Sequence, residues 1–142
     1  MTTVSPERIS AVMALQPVAQ SFAELEDRVR KGLPKAALQA SVTHVARTPD
    51  EKRGLLFRIV PEATFKRRRD RLSPDESEKT ERLARVFATA LYVWDDEVDA
   101  RDFLNTPHPL LEGRRPLDVA MTELGARRVE ELLAKLFYGL PA

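Results

Sequence analysis

The stretch that most constrains this chain runs from Ser73 to Trp94. Ser73 followed by Pro74, Asp75 and Glu76 is a strong helix start. The serine can cap, the proline suits the first turn, the acids complement the helix dipole, and Glu76 stands three residues after Ser73 as in a capping box. Beyond it Leu83, Val86, Phe87, Ala90, Leu91 and Trp94 recur at spacings of three and four, and Asp95 and Asp96 end the pattern. So continuous an apolar stripe predicts a core helix on which the other elements pack. Trp94 reads as part of that packing, with its indole nitrogen bonded to a backbone carbonyl.

The remaining signals are helical as well. Ser21 and Glu24 have capping-box spacing, Leu25 and Val29 share a face, and Gly32 ends that helix. Pro34 opens another, which turns Leu38, Val42 and Val45 to the core. Thr48, Pro49, Asp50 and Glu51 start a short helix bearing Leu55, Leu56, Phe57 and Ile59, and Pro61 starts a second one running to about Leu72. Val98, Ala100, Phe103 and Leu104 predict a short helix, after which Pro107 and Pro109 impose an extended turn that pins Leu110 and Leu111 inward. Gly113 and Pro116 make a corner leading into a short helix over 117–121. Val129, Leu132, Leu133, Leu136 and Phe137 then form a last amphipathic stripe, capped by Gly139. For the segment before Ser21, with Ile9, Val12, Met13 and Leu15, two readings stand: one short docked helix, or a mobile terminus. The expected fold is all-α, with regions 1–20, 21–95 and 96–142.

Charge and composition exclude several function classes. With 23 Lys and Arg against 22 Asp and Glu among 142 residues, the net charge is +1, so any nucleic-acid contact must rest on local clustering. The chain has no cysteine, which rules out disulfides, cysteine zinc sites and thiol nucleophiles. No apolar run reaches the ~20 residues of a membrane helix, and the start lacks a signal peptide's apolar core, so a soluble cytoplasmic protein is expected. There is no nucleophile elbow, phosphate-cradling glycine loop or metal-ligand spacing, so neither an enzyme, a cofactor nor a metal is expected. Asp95, Asp96, Glu97 and Asp99 lack the glycine and terminal glutamate of a calcium loop. His44 stands alone and reads as structural.

One cluster breaks the charge balance. From Lys52 to Arg71 there are eight basic residues against two acids, and Lys66, Arg67, Arg68, Arg69 and Arg71 fall on the second of two short helices joined by a tight turn. That is the outline of a helix-turn-helix, and several cations on one face make a phosphate-binding surface. The same residues also suit a solvated helix paired with Asp75, Glu76, Glu78 and Glu81. No asparagine or glutamine suited to reading bases accompanies them.

Several short motifs occur in fixed order near the C-terminus: Phe103 and Leu104; Pro107 to Leu110; Gly113, Arg114, Arg115, Pro116 and Leu117; Thr122 to Ala126; Val129 to Leu133; and Phe137, Tyr138 and Gly139. Together they resemble the toxin-binding domain of the Xre/MbcA/ParS antitoxins. Upstream, Phe65 to Arg69, Leu72 to Glu78 and Arg82 to Phe87 are similar to that family's helix-turn-helix-like region. The resemblance implies a cytosolic, non-enzymatic inhibitor of a RES-domain toxin, an enzyme that consumes NAD by hydrolysis or ADP-ribose transfer. It also implies a hetero-oligomer with that toxin, with antitoxin dimerisation, and the possibility of operator binding. By the same resemblance the C-terminal helix and tail would cover the NAD pocket through Leu132, Lys135, Leu136, Tyr138, Gly139, Leu140, Pro141 and Ala142. The leucines and Tyr138 would serve as anchors, the tail as a plug, and Lys135 with a terminal carboxylate as charge partners.

Overall fold

The computed structural model describes residues 4–140, and its elements are all helical apart from two isolated bridges. They are α1 (Pro6–Val12), α2 (Phe22–Lys31), α3 (Lys35–Val45), α4 (Pro49–Ile59), α5 (Glu62–Arg67), α6 (Pro74–Trp94), α7 (Glu97–Asn105), a 3-10 turn (Pro109–Leu111), α8 (Pro116–Val119) and α9 (Glu123–Phe137). Side chains cap most of the starts. Ser21, Thr48, Asp96 and Thr122 each accept from the backbone N–H three residues on. Ser73 does the same from Glu76, whose carboxylate in turn accepts from the Ser73 N–H at 2.8 Å and completes the capping box. At Ser21 the box is only half built, because Glu24 reaches the Gln20 N–H instead.

The 21-residue α6 is the axis of the molecule, and α1, α2, α3, α4, α7 and α9 all pack on it. One apolar core runs through both ends of the chain, and Ile9, Leu38, Val42, Phe87, Leu104 and Leu133 are fully buried in it. Full burial of each such side chain is worth about 1.5–3 kcal/mol. The segment before Ser21 is the docked helix of the two alternatives. Ser5 caps α1, and Ile9, Val12, Met13, Leu15 and Ala19 are buried.

Four local expectations need correction. The second helix of the basic pair ends at Arg67, not near Leu72. Residues 68–72 are drawn out of the helix by the α2–α3 connection, where Lys35 N–H donates to Asp70 O at 2.9 Å and Leu72 N–H to Leu33 O at 2.8 Å. Gly32 makes this approach possible. Its φ of +98° is one that side chains disfavour, and a Cβ there would stand 2.5 Å from the Leu72 carbonyl oxygen. Trp94 is 41% exposed and packs against the Phe103 ring at 6.1 Å, because α6 outruns the core before the left-handed turn at Asp95. Leu111 is buried but Leu110 is exposed, since the 3-10 turn sends neighbouring side chains about 120° apart. The helix expected over 117–121 is the single turn α8, which begins at Pro116.

Candidate functional site

The end of α9 is built as a terminus that displays side chains. Gly139, at φ +68°, donates its N–H to Leu136 O at 3.2 Å, and Leu140 N–H reaches back to Lys135 O at 2.8 Å. This pair of bonds is a Schellman motif, and it satisfies carbonyls that the helix end would otherwise leave open. Around it Tyr92, Phe137, Tyr138 and Leu140 expose between 41% and 59% of their surface. The Phe137 ring lies 5.4 Å from Tyr92 and 5.2 Å from Tyr138, and the Arg8 guanidinium sits 5.1 Å over the Tyr92 ring. Exposed aromatics clustered in this way mark an interaction surface, whereas scattered ones would not.

Of the residues expected to bind the toxin, Lys135, Tyr138, Gly139 and Leu140 are exposed here and Leu136 is half-buried beside them. Leu132 is only 3% exposed and belongs to the core, because it lies on the face of α9 that packs on α6. Pro141 and Ala142 lie outside the described residues. The same exposed surface includes Phe137 and Tyr92. In sequence Phe137 belongs to the apolar stripe of α9 and Tyr92 sits beside that of α6, and only the packing shows that both face outward.

The position of α9 is fixed by a charged lock and a tight backbone approach. Arg85 bonds Glu81, Glu123 and Glu130 at 2.8–3.1 Å, and Arg82 bonds Glu123 and the Met121 carbonyl. Burial pushes the Glu81 carboxyl up in spite of Arg85 beside it, with Glu123 and Glu130 adding repulsion. Burial acts on Glu123 in the same direction, but there the hydrogen bond from Arg82 and the charge of Arg85 win and hold it down. At the start of α9, Gly125 packs against α8 so closely that a Cβ would stand 1.7 Å from the Val119 carbonyl oxygen. The glycine and proline corner before α8 is tied as well, with His108 N–H donating to Arg114 O at 3.1 Å and Arg128 gripping Glu112. Asp118, on α8, accepts a forked pair from Arg115 and a 2.7 Å bond from Arg58 of α4. The Arg115 bonds, against burial and with help from Arg58, hold its carboxyl down at about 2.

The basic cluster divides into cations that serve the fold and cations that face solvent. Arg68 forks onto the buried Glu76 at 3.1 and 3.2 Å, and Arg71 donates to the Gly32 carbonyl at 2.8 Å. Lys66 pairs with Glu62 along α5, and Arg67 reaches the Thr64 hydroxyl. Arg69 is exposed and has no acid partner among the described residues. The cations left to face solvent are therefore Lys66 and Arg67 on α5 and Arg69 just beyond it, whereas Arg71 is exposed but committed to the Gly32 carbonyl. His44, expected to be structural, bonds Glu97 at 2.7 Å and packs against Phe87.

Two family models cover most of the chain. The antitoxin Xre-like helix-turn-helix domain matches residues 24–85, and the antitoxin Xre/MbcA/ParS C-terminal toxin-binding domain matches residues 89–139. The chain belongs to the Xre/MbcA/ParS antitoxins. This antitoxin is also similar to Antitoxin Xre of Pseudomonas putida, with 28% identity over 135 residues, covering 93% of this chain and 82% of that one. The two matched regions meet inside α6, so the helix-turn-helix and toxin-binding parts of the antitoxin share one helix and one core. Among the described residues no helix is long and apolar enough to cross a membrane, and no group of three or more His, Asp or Glu is placed to hold a metal ion.

Proposed function

We propose that this antitoxin neutralises a RES-domain toxin that consumes NAD, forming a hetero-oligomer in which the end of α9 and the tail beyond it cover the toxin's NAD pocket. The observation that carries this is the exposed cluster of Tyr92, Phe137, Tyr138 and Leu140 around the Schellman terminus. An inhibitor needs no catalytic group of its own. It needs rigid aromatic anchors, which cost little side-chain entropy to fix, and a blunt end that excludes a small ligand. Lys135, Leu136, Gly139, Pro141 and Ala142 complete the proposed contact. The test is to purify the product of the adjacent gene alone and with the antitoxin. The expected result is a toxin that depletes NAD by itself, a stable complex of the two, and no depletion by the complex. A toxin that leaves NAD untouched would overturn the RES assignment.

A second activity is supported by a separate observation, the solvent-facing cations on and after α5. We infer that the antitoxin also represses its own promoter, with α4 and α5 as the helix-turn-helix and Lys66, Arg67 and Arg69 meeting phosphates. Reversing the charge of Arg67 and Arg69 should weaken operator binding and flatten its salt dependence. Binding to upstream DNA with no salt dependence would contradict this.

A further inference from the structure

A groove of about 570 Å³ lies between α2, α6 and the start of α9. Its floor is apolar, formed by Phe22, Leu25 and Val29, and Phe22 is half-exposed. Its rim holds the carboxylates Glu26, Glu78, Glu81 and Glu123 against only Arg82 and Arg85. Both arginines are already engaged with Glu81, Glu123 and Glu130, while Glu26 and Glu78 are exposed and have no ion pair among the described residues.

The groove and the aromatic patch lie along one seam. Glu123, Glu130 and Phe137 recur every seven residues on α9, and they meet Arg85 and then Tyr92, also seven residues apart, on α6. The two helices therefore run side by side in the same direction, and a heptad spacing keeps these contacts on one side of both. From Glu123 to Phe137 the rise is about 21 Å. A stable interface buries about 800 Å² per partner. Four half-exposed side chains at one end, each carrying ~150–250 Å² when aromatic, fall short of that. A partner of ordinary size seated on the patch would reach the groove.

We propose that this groove is a second docking site for the same toxin and takes a cationic, apolar-anchored segment of it. An aromatic or aliphatic side chain of that segment would rest on Phe22, Leu25 and Val29, and its Lys or Arg side chains would face Glu26 and Glu78. The seam is then polarised, with carboxylates at one end and Arg8 over the Tyr92 ring at the other, which fixes the direction in which the toxin lies. This site rests on the proposed toxin contact at the end of α9, and the experiment separates the two.

The purified toxin is titrated at low and high salt with four proteins: full-length wild type, F22A and the double variant E26K/E78K, and the chain shortened by residues 138–142. Thermal melts check that the surface variants are folded. The expected result is at least tenfold weaker binding for F22A and for E26K/E78K, with E26K/E78K also flattening the salt dependence. Wild-type affinity for both at both salt concentrations would overturn the groove while leaving the tail contact in place. Weakened self-association with unchanged toxin affinity would assign the groove to a second copy of the chain and also overturn it. Failure of the wild type to bind would overturn the toxin contact itself.

Discussion

The basic segment after Pro61 and the closing turn of α9 are both conspicuous in sequence, one for its arginines and the other for its aromatic stripe, and the structure treats them in opposite ways. The basic segment spends part of its charge on the fold. Arg68 neutralises the buried Glu76, and Arg71 holds the Gly32 carbonyl. The α9 terminus does the reverse. It satisfies its own backbone through Gly139 and Leu140 and leaves Phe137 and Tyr138 facing solvent. A charge run overstates the available charge because partners near in space are hidden in sequence. An amphipathic stripe understates the available surface because its last turn can outrun the core.

The largest effect that would break this comparison belongs to the aromatic end. Replacing Phe137 and Tyr138 together by alanine should cost about 2–4 kcal/mol of toxin binding, measured by titration calorimetry, and leave DNA affinity unchanged. A loss of fold in that variant would mean that the patch is structural. Next comes Gly125→Ala, which drives a methyl group into the Val119 carbonyl and should destabilise the protein by roughly 2–3 kcal/mol in urea unfolding. Within the basic segment, Arg68→Ala strands Glu76 and should cost roughly 1–2 kcal/mol of stability, whereas Arg69→Ala should leave stability alone and lower the salt slope of DNA binding by about one. Equal stability of the two variants would remove the distinction between spent and free cations.

The smallest effect is a pH dependence. The Asp118 carboxyl is held down at about 2 in the folded protein by Arg115 and Arg58, below its ordinary value of 3.8. Its contribution is therefore fully present above about pH 4 and is lost as pH falls toward 2. Asp118→Asn should flatten that part of the acid-unfolding curve without changing the slope near neutrality.

Much of the helical frame was legible because it is locally encoded. Ser21, Thr48 and Ser73 act as caps where their spacing places them, and the stripe on α6 packs as its period requires. What was hidden is non-local. The early end of α5 follows from pairing between residues 70–72 and 33–35, and nothing in the local pattern of the basic run announces it. Trp94 and Leu132 have similar stripe positions, yet one projects beyond the core and the other is sealed within it. The toxin-binding family was readable from motif order, and the approach of the Val119 carbonyl shows why a glycine stands at 125. Tyr92 joins the surface only through its contact with Phe137, from a helix 45 residues earlier in the chain.

The most direct test of the account is to delete residues 138–142 and measure NAD depletion by the toxin in the presence of the shortened antitoxin, with its melting curve recorded alongside. The predicted result is a folded protein that no longer protects NAD. Full protection by that truncation would contradict the claim that the end of α9 and its tail close the toxin's pocket.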